Sequence, residues 1–220
     1  MRALTRRGMV FAMATVTLAS AAIWTPSFVA FLVLLVCACG FFGFFVLRPR
    51  PRTTAARRAP VSALGILLQS LAYAILGICH RPPALPMIPM STVMEIVIAA
   101  CTMLLAVSSL WFSIAAVLTL GKNWSYIAAV SPRHQLVTRG PYRYVRHPIY
   151  TGMLGLCVAT GLAASQWWAL PIAFAVFATG TWIRVRIEDQ LLRATHGTAF
   201  ADYARRVPAL FPRWSRRTER

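Results

Sequence analysis

The chain has 220 residues, of which 58% are hydrophobic and 13% charged, and its mean hydropathy is +0.63; a soluble domain carries about 25% charged residues, which excludes a water-soluble globular protein. The net charge of +18 comes from 22 Arg and one Lys against five acids. The basic residues stand between long apolar runs and follow no nucleic-acid-binding pattern, so nucleic acid is excluded as the partner and the charge is assigned to membrane topology and anionic headgroups.

In chain order, Arg2, Arg6 and Arg7 precede a first apolar run, Gly8 to Trp24. A cleaved signal peptide has a similar outline. A retained helix is expected instead, because Thr25-Pro26-Ser27 leads at once into a second uncharged run, Phe28 to Leu47. Arg48-Pro-Arg-Pro-Arg52 and Arg57-Arg58 then form a basic loop in which the prolines forbid a continuous helix. Val61 to Cys79 is the third span, with Gln69 near its middle as a helix–helix hydrogen bonder. A proline-rich loop, His80 to Pro89, leads to the fourth span, Thr92 to Leu120. Its 29 residues make about 43 Å of helix at 1.5 Å per residue, more than a core of about 30 Å requires. Glu95 in this run reads as the third residue of a capping box opened by Thr92, in preference to an intramembrane carboxylate.

The longest internal polar segment is Gly121 to His147. Ile149 to Ala164 and Trp167 to Ile183 are two short spans joined by Ser165-Gln166, and Arg184 to Arg220 is a basic, helical cytoplasmic tail. The five cysteines, Cys37, Cys39, Cys79, Cys101 and Cys157, show no metal-ligand spacing, so no metal site is expected. The expected fold is all-α, a polytopic membrane bundle of about six transmembrane helices. With the N-terminus inside, 22 Lys and Arg fall on the cytoplasmic side and only Arg81 falls outside, as the positive-inside rule requires. The near absence of Lys beside abundant Arg and Ala points to a GC-rich bacterial genome, hence a bacterial cytoplasmic membrane with both termini cytoplasmic.

Chemistry concentrates in Leu136-Val-Thr-Arg-Gly-Pro-Tyr-Arg-Tyr-Val-Arg-His-Pro-Ile-Tyr-Thr-Gly152. Gly140-Pro141 makes a turn. Pro148 holds His147 extended and suits the first position of a helix, so His147 becomes the N-cap and Tyr150 lies on the first turn. The helix N-terminus with Arg139, Arg143 and Arg146 makes an anion site at the membrane surface. Gly152 and Gly155 leave that helix thin, open to a ligand or another helix. The short hairpin of spans five and six returns the chain to the same membrane face. It brings Arg146, His147 and Tyr150 near Arg184, Glu188 and Asp189. Mixed charge at one cytoplasmic mouth suits a zwitterionic ligand. The plain alternatives are a basic interfacial anchor and an Arg184–Glu188 pair spaced i,i+4.

The run Gly140-Pro-Tyr-Arg-Tyr-Val-Arg-His-Pro-Ile-Tyr-Thr-Gly152 resembles the signature of the isoprenylcysteine carboxyl methyltransferase and phospholipid methyltransferase superfamily. Upstream Leu120-Gly-Lys-Asn-Trp-Ser125 also matches, as do downstream Glu188-Asp189, Leu192, His196-Gly197, Tyr203 and Val207-Pro208. The resemblance covers roughly residues 118–212. It implies S-adenosyl-L-methionine as methyl donor and a lipophilic or lipidated acceptor. It also implies a cofactor site made of Arg146, His147, Tyr150, Gly152, Glu188 and Asp189, to which the expected convergence adds Arg184. The sequence departs from the family in its Glu-Asp pair, where Glu-Glu is usual, in His196 for Phe, and in Phe200 for a nearby Tyr.

Two parts follow: residues 1–90, N-terminal spans without a family match, and residues 91–220, a methyltransferase-like membrane domain. No dinucleotide-binding glycine fingerprint is present, so the cofactor is expected within the bundle's cytoplasmic mouth. Arg146, His147 and Glu188 are the expected catalytic residues. A carboxylate acceptor, ionised at neutral pH, needs the Arg groups to position it, whereas an amine or phenol needs His147 or Glu188 as a base. The arginine excess favours an isoprenylcysteine-type or other lipid-linked carboxylate over a phospholipid or small lipophilic amine or phenol. The rivals of another class are a nicotinamide-dependent sterol-type reductase, which Ile149 and Met153 disfavour, and a non-catalytic lipid-binding protein.

Overall fold

A computed structural model of the protein describes residues 40, 57–58, 61–80, 91–121, 129–130 and 136–212. The first two apolar runs as spans, the proline-rich loop after His80, Trp124 and the last eight residues lie outside them. Four α-helices dominate the described residues: α1 (Ser62–Ile78), α2 (Thr92–Leu120), α3 (Pro148–Ala164) and α4 (Ala169–Arg206). A 3-10 turn, Gly140–Arg143, precedes α3. Two features depart from a purely helical reading. Arg57–Arg58 (β1) pairs antiparallel with Ala129–Val130 (β2), and His80 forms an isolated bridge with Ser165.

Helices α1 and α2 bury mostly small and polar residues and expose large apolar ones, whereas α3 and α4 also bury Leu154, Leu156, Phe177 and Phe200. Helix α2 buries Thr102, Ala106, Ser109, Ser113, Ala116 and Val117, spaced three and four apart, while Val93, Ile96, Leu104, Trp111 and Leu118 face outward. Helix α1 buries Ser62, Gly65, Gln69, Ala72 and Leu76 and exposes Leu64, Leu67, Leu71 and Ile78. In lipid, apolar side chains gain nothing by turning inward, so helices associate through small residues and interhelical hydrogen bonds. Gln69 makes such a bond as expected, its amide donating to the Thr181 hydroxyl at 3.0 Å. Among the described residues the protein is almost wholly helical. Helices α2 and α4 are long and apolar enough to cross a bilayer. Helices α1 and α3 have 17 residues each, the lower end of the spanning range of about 17–25.

Helix α1 packs along α4, and α2 packs along α3. Gly155 allows the second contact, since a Cβ there would lie 2.1 Å from the Ser109 hydroxyl. The ends of the helices sort into two sets. At one end the Gln166 N–H donates to the Cys79 carbonyl (2.9 Å) and the Ser165 hydroxyl donates to the Leu76 carbonyl (2.9 Å). At the other lie the β1–β2 pair, the 3-10 turn and the polar half of α4.

Two boundaries differ from the sequence reading. The N-cap of α2 is Ser91, whose side chain makes no capping bond, and not Thr92, so Glu95 is the fourth helical residue and not the third residue after the cap. Extended backbone at Ser91 lets its carbonyl accept the Glu95 N–H at 3.1 Å, which starts the helix one residue earlier. The helix that carries the sixth apolar run does not stop at Ile183 but continues as α4 to Arg206, 38 residues in all. Up to Gly197 it is about 42 Å long at 1.5 Å per residue, more than a hydrocarbon core of about 30 Å requires. Gly197 kinks it, with φ 53° and ψ −123°, a conformation in which a Cβ would be strained. The segment after the kink is turned back toward α3.

Candidate active site

His147 is the N-cap of α3 and Pro148 its first residue, as the sequence implies. The 3-10 turn starts at Gly140, with φ +60°, and delivers Val145, Arg146 and His147 to the start of the helix.

What fixes this segment is the end of α4 and the chain beyond it. The Arg146 and His147 N–H groups donate to the carbonyls of Pro208 (2.8 Å) and Ala209 (2.9 Å). One Arg146 terminal nitrogen donates to the Ala204 (3.1 Å) and Val207 (2.6 Å) carbonyls. The other donates to Asp189 Oδ2 (2.8 Å). The Tyr203 hydroxyl donates to the Tyr142 carbonyl (2.6 Å), and the Thr151 hydroxyl donates to the Leu210 carbonyl (2.7 Å). Tyr203, Val207 and Pro208 of the sequence motif thus act as a clamp on the Arg-His-Pro segment. Phe200, where the family pattern has a Tyr, is fully buried and meets Tyr203 edge-on at 6.3 Å.

Behind the clamp is a charged network. His147 Nε2 lies 2.8 Å from Asp189 Oδ1, and Nδ1 lies 3.4 Å from Glu188 Oε2, so the imidazolium faces a carboxylate on each side. The Tyr150 hydroxyl donates to Glu188 and accepts from Arg184 Nε at 2.8 Å. The Arg184 guanidinium also sits 5.1 Å over the Tyr150 ring, and the His147 and Tyr150 rings stack at 5.9 Å. Burial opposes charge on His147, but the hydrogen bonds with Asp189 and Glu188 outweigh it and raise its pKa above the usual 6.5. Glu188 and Asp189 lie past the apolar part of α4. Burial alone would raise their pKa values; His147 overrides it, with Arg184 and Tyr150 beside Glu188 and Arg146 beside Asp189, and both carboxyls stay below the usual range. At neutral pH both acids are therefore ionised, and His147 is biased toward its protonated form.

Six of the seven expected site residues come together here: Arg146, His147, Tyr150, Arg184, Glu188 and Asp189. Gly152 does something else. A Cβ on it would lie 2.0 Å from the Ser113 hydroxyl and 2.5 Å from the Ser109 carbonyl, so its bare face receives α2. Arg139 and Arg143 are exposed, and Arg143 stacks over its neighbour Tyr144 at 4.8 Å. Of the three arginines expected to form an anion site, Arg146 thus belongs to the network, while Arg139 and Arg143 lie exposed beside it. Sequence reasoning missed the clamp. Its acceptors are backbone carbonyls, which leave no side-chain signature, and Val207-Pro208 was the one available hint.

Residues 97–199 match the family model described as Phospholipid methyltransferase. A protein-S-isoprenylcysteine O-methyltransferase of Arabidopsis thaliana is 31% identical over 103 residues, covering 44% of this chain and 50% of its own. The mouse protein of that name is 33% identical over 104 residues, 44% of this chain and 35% of its own. A cobalt-zinc-cadmium resistance protein of Cupriavidus metallidurans is 41% identical over 104 residues, 44% of this chain and 45% of its own. The matches to the first of these curated relatives span about half of their length. The solved structure of a eukaryotic intramembrane Ras methyltransferase, an isoprenylcysteine carboxyl methyltransferase, aligns over 95% of this chain and 86% of its own, at 17% identity and a TM-score of 0.46.

Proposed function

Since residues 97–199 carry the phospholipid methyltransferase family match that the His-Pro motif led us to expect, we propose that the chain is a membrane-embedded, S-adenosylmethionine-dependent methyltransferase whose acceptor is a lipid-linked carboxylate of the isoprenylcysteine type. The active part is residues 91–220. The relatives named as isoprenylcysteine O-methyltransferases support this reading. The observation that carries it is the charged network at the mouth of α3 and α4.

The residues fit the cofactor. S-adenosylmethionine presents an ammonium, a carboxylate, a sulfonium and ribose hydroxyls. Glu188 and Asp189 keep 26% and 23% of their side chains exposed, enough for each to accept a further hydrogen bond. Arg146 Nε is buried without a partner among the described residues, and buried polar groups normally have one. Glu188 and Asp189 would hold the hydroxyl or ammonium groups, and the positive side chains of Arg146 and Arg184 would favour the carboxylates of cofactor and acceptor. When bound, the cofactor supplies an electrophilic methyl group on its sulfonium. The chain's task is then to orient the two reactants and keep water out.

The protonation pattern favours one acceptor class. An amine or phenol needs a base, but a protonated His147 has no lone pair to offer and Glu188, with its lowered pKa, is a weak base. A carboxylate with a pKa near 4 arrives ionised and needs none. The chain should methylate an S-prenylcysteine analogue bearing a free carboxylate, and not the corresponding amide. With tritiated cofactor, the label should leave as volatile methanol in mild alkali. Alkali-stable label in phospholipid would instead show N-methylation and contradict the carboxylate assignment.

The six-span topology with both termini in the cytoplasm belongs to the same proposal. Fusions at residues 52, 85, 135 and 166 should report inside, outside, inside and outside. Any other order contradicts it, and a mature chain starting near residue 24 would show that the first run is cleaved.

A further inference from the structure

Helix α1 lies outside residues 97–199, yet it touches the network. A Cβ on Gly65 would stand 2.5 Å from Arg184 Cγ, 3.1 Å from Arg184 Cδ and 2.7 Å from the Gly180 carbonyl. The missing side chain at Gly65 is thus the space that the Arg184 stem occupies. Arg184 is buried. From that channel its Nε reaches the Tyr150 hydroxyl (2.8 Å), which in turn donates to Glu188. Gln69, one turn along α1, locks the register through Thr181 at 3.0 Å.

The second glycine of α1 provides a contrast. A Cβ on Gly77 would meet nothing within 4 Å among the described residues. Gly180 of α4 shares the helix crossing without touching Arg184: a Cβ there would meet the Gly65 carbonyl at 2.7 Å and Leu68 Cβ at 2.9 Å. The crossing therefore has one position that sets helix separation alone and one that also sets the course of Arg184.

We propose that Gly65 of α1 is a positioning residue for the active site: by leaving room for the Arg184 stem it aims the guanidinium at Tyr150 and so fixes the Glu188 carboxylate. The site is then incomplete without a helix from the N-terminal part of the chain. As far as cofactor affinity is concerned, the proposal rests on the methyltransferase reading. The aim of Arg184 is independent of it.

The test uses the full chain in detergent with Gly65→Ala, Gly180→Ala and Gly77→Ala. Two readouts are taken: binding of S-adenosylhomocysteine, and the Arg184 Nε–H resonance in 15N-arginine-labelled protein, assigned by its loss in Arg184→Lys. Gly65→Ala should shift or broaden that resonance and weaken binding about tenfold, as expected for a lost hydrogen bond to a charged group. Gly180→Ala should lower thermal stability but leave resonance and affinity close to the parent, and Gly77→Ala should change neither. The affinity cost of Gly65→Ala should also shrink in an Arg184→Ala background, where the stem is gone. If the resonance is unmoved in Gly65→Ala, or moves equally in Gly180→Ala, Gly65 is a packing residue and the proposal fails. If the parent itself does not bind S-adenosylhomocysteine, the methyltransferase reading fails, and the resonance alone decides the role of Gly65. If Gly65→Ala does not fold, Gly65→Ser and the Arg184→Ala double variant give the same comparison.

Discussion

Replacing Glu188 by glutamine should weaken S-adenosylhomocysteine binding roughly ten- to hundredfold, since a hydrogen bond to a charged group contributes about 1.5–3 kcal/mol. Glu188 accepts from the Tyr150 hydroxyl and faces His147 Nδ1 at 3.4 Å, while 26% of its side chain stays open. Glutamine keeps the shape and removes the charge on that open side. A surface ion pair would be worth only about 0–1 kcal/mol, so a merely structural Glu188 predicts little change in affinity. Arg184→Gln is the companion variant. Arg184 reaches Glu188 through Tyr150, so its loss should lower affinity less than the loss of the carboxylate charge. Equal losses from the two substitutions would show that Glu188 acts only as a link in the chain from Arg184. Isothermal titration in detergent measures both.

Arg146→Ala should have the largest effect on stability, about 3 kcal/mol, the scale for removing one partner of a largely buried charged pair. The guanidinium holds two carbonyls of the tail and one carboxylate oxygen at once. Its loss leaves Asp189 beside His147 alone and frees Ala204 and Val207. The chain after Gly197 should then loosen, and trypsin should cut at the exposed Arg205 and Arg206 much faster than in the parent. Arg146→Lys should recover little, because an ammonium on a flexible stem cannot span three acceptors as the planar fork does. Unchanged melting and unchanged cleavage in Arg146→Ala would contradict the clamp.

How much of this could be read from the residues depends on where the information lies. His147-Pro148 states much of its own geometry: proline suits the first helical position and Pro148 takes it with His147 as N-cap, but His147 sits at φ −124°, ψ 60°, outside the extended region that the following proline led us to expect. The span Thr92–Leu120 is legible for the same kind of reason: a long apolar run, with Glu95 as its single charged residue, closed by Gly121. Glu188 and Asp189 were legible as candidates because acids are scarce in this chain and these two follow a span, and both contact His147. The carbonyls of Ala204, Val207, Pro208 and Ala209 were not, because every residue has a carbonyl and only tertiary folding selects these four. Gly65 and Gly77 look alike in the sequence; one faces Arg184 and the other meets none of the described residues within 4 Å, a difference set by the rotation of α1 against α4. Gly152 was legible as a close approach, but its partner, Ser113 of α2, was not.

The central claim is that the mouth of α3 and α4 binds S-adenosylmethionine, and one titration tests it most directly. Purified protein in detergent is titrated with S-adenosylhomocysteine and, separately, with a reduced nicotinamide nucleotide. Saturable binding of S-adenosylhomocysteine alone, weakened by Glu188→Gln and unaffected by Gly77→Ala, is the expected result. Binding of the nicotinamide nucleotide alone would contradict the account and assign the same network to a reductase.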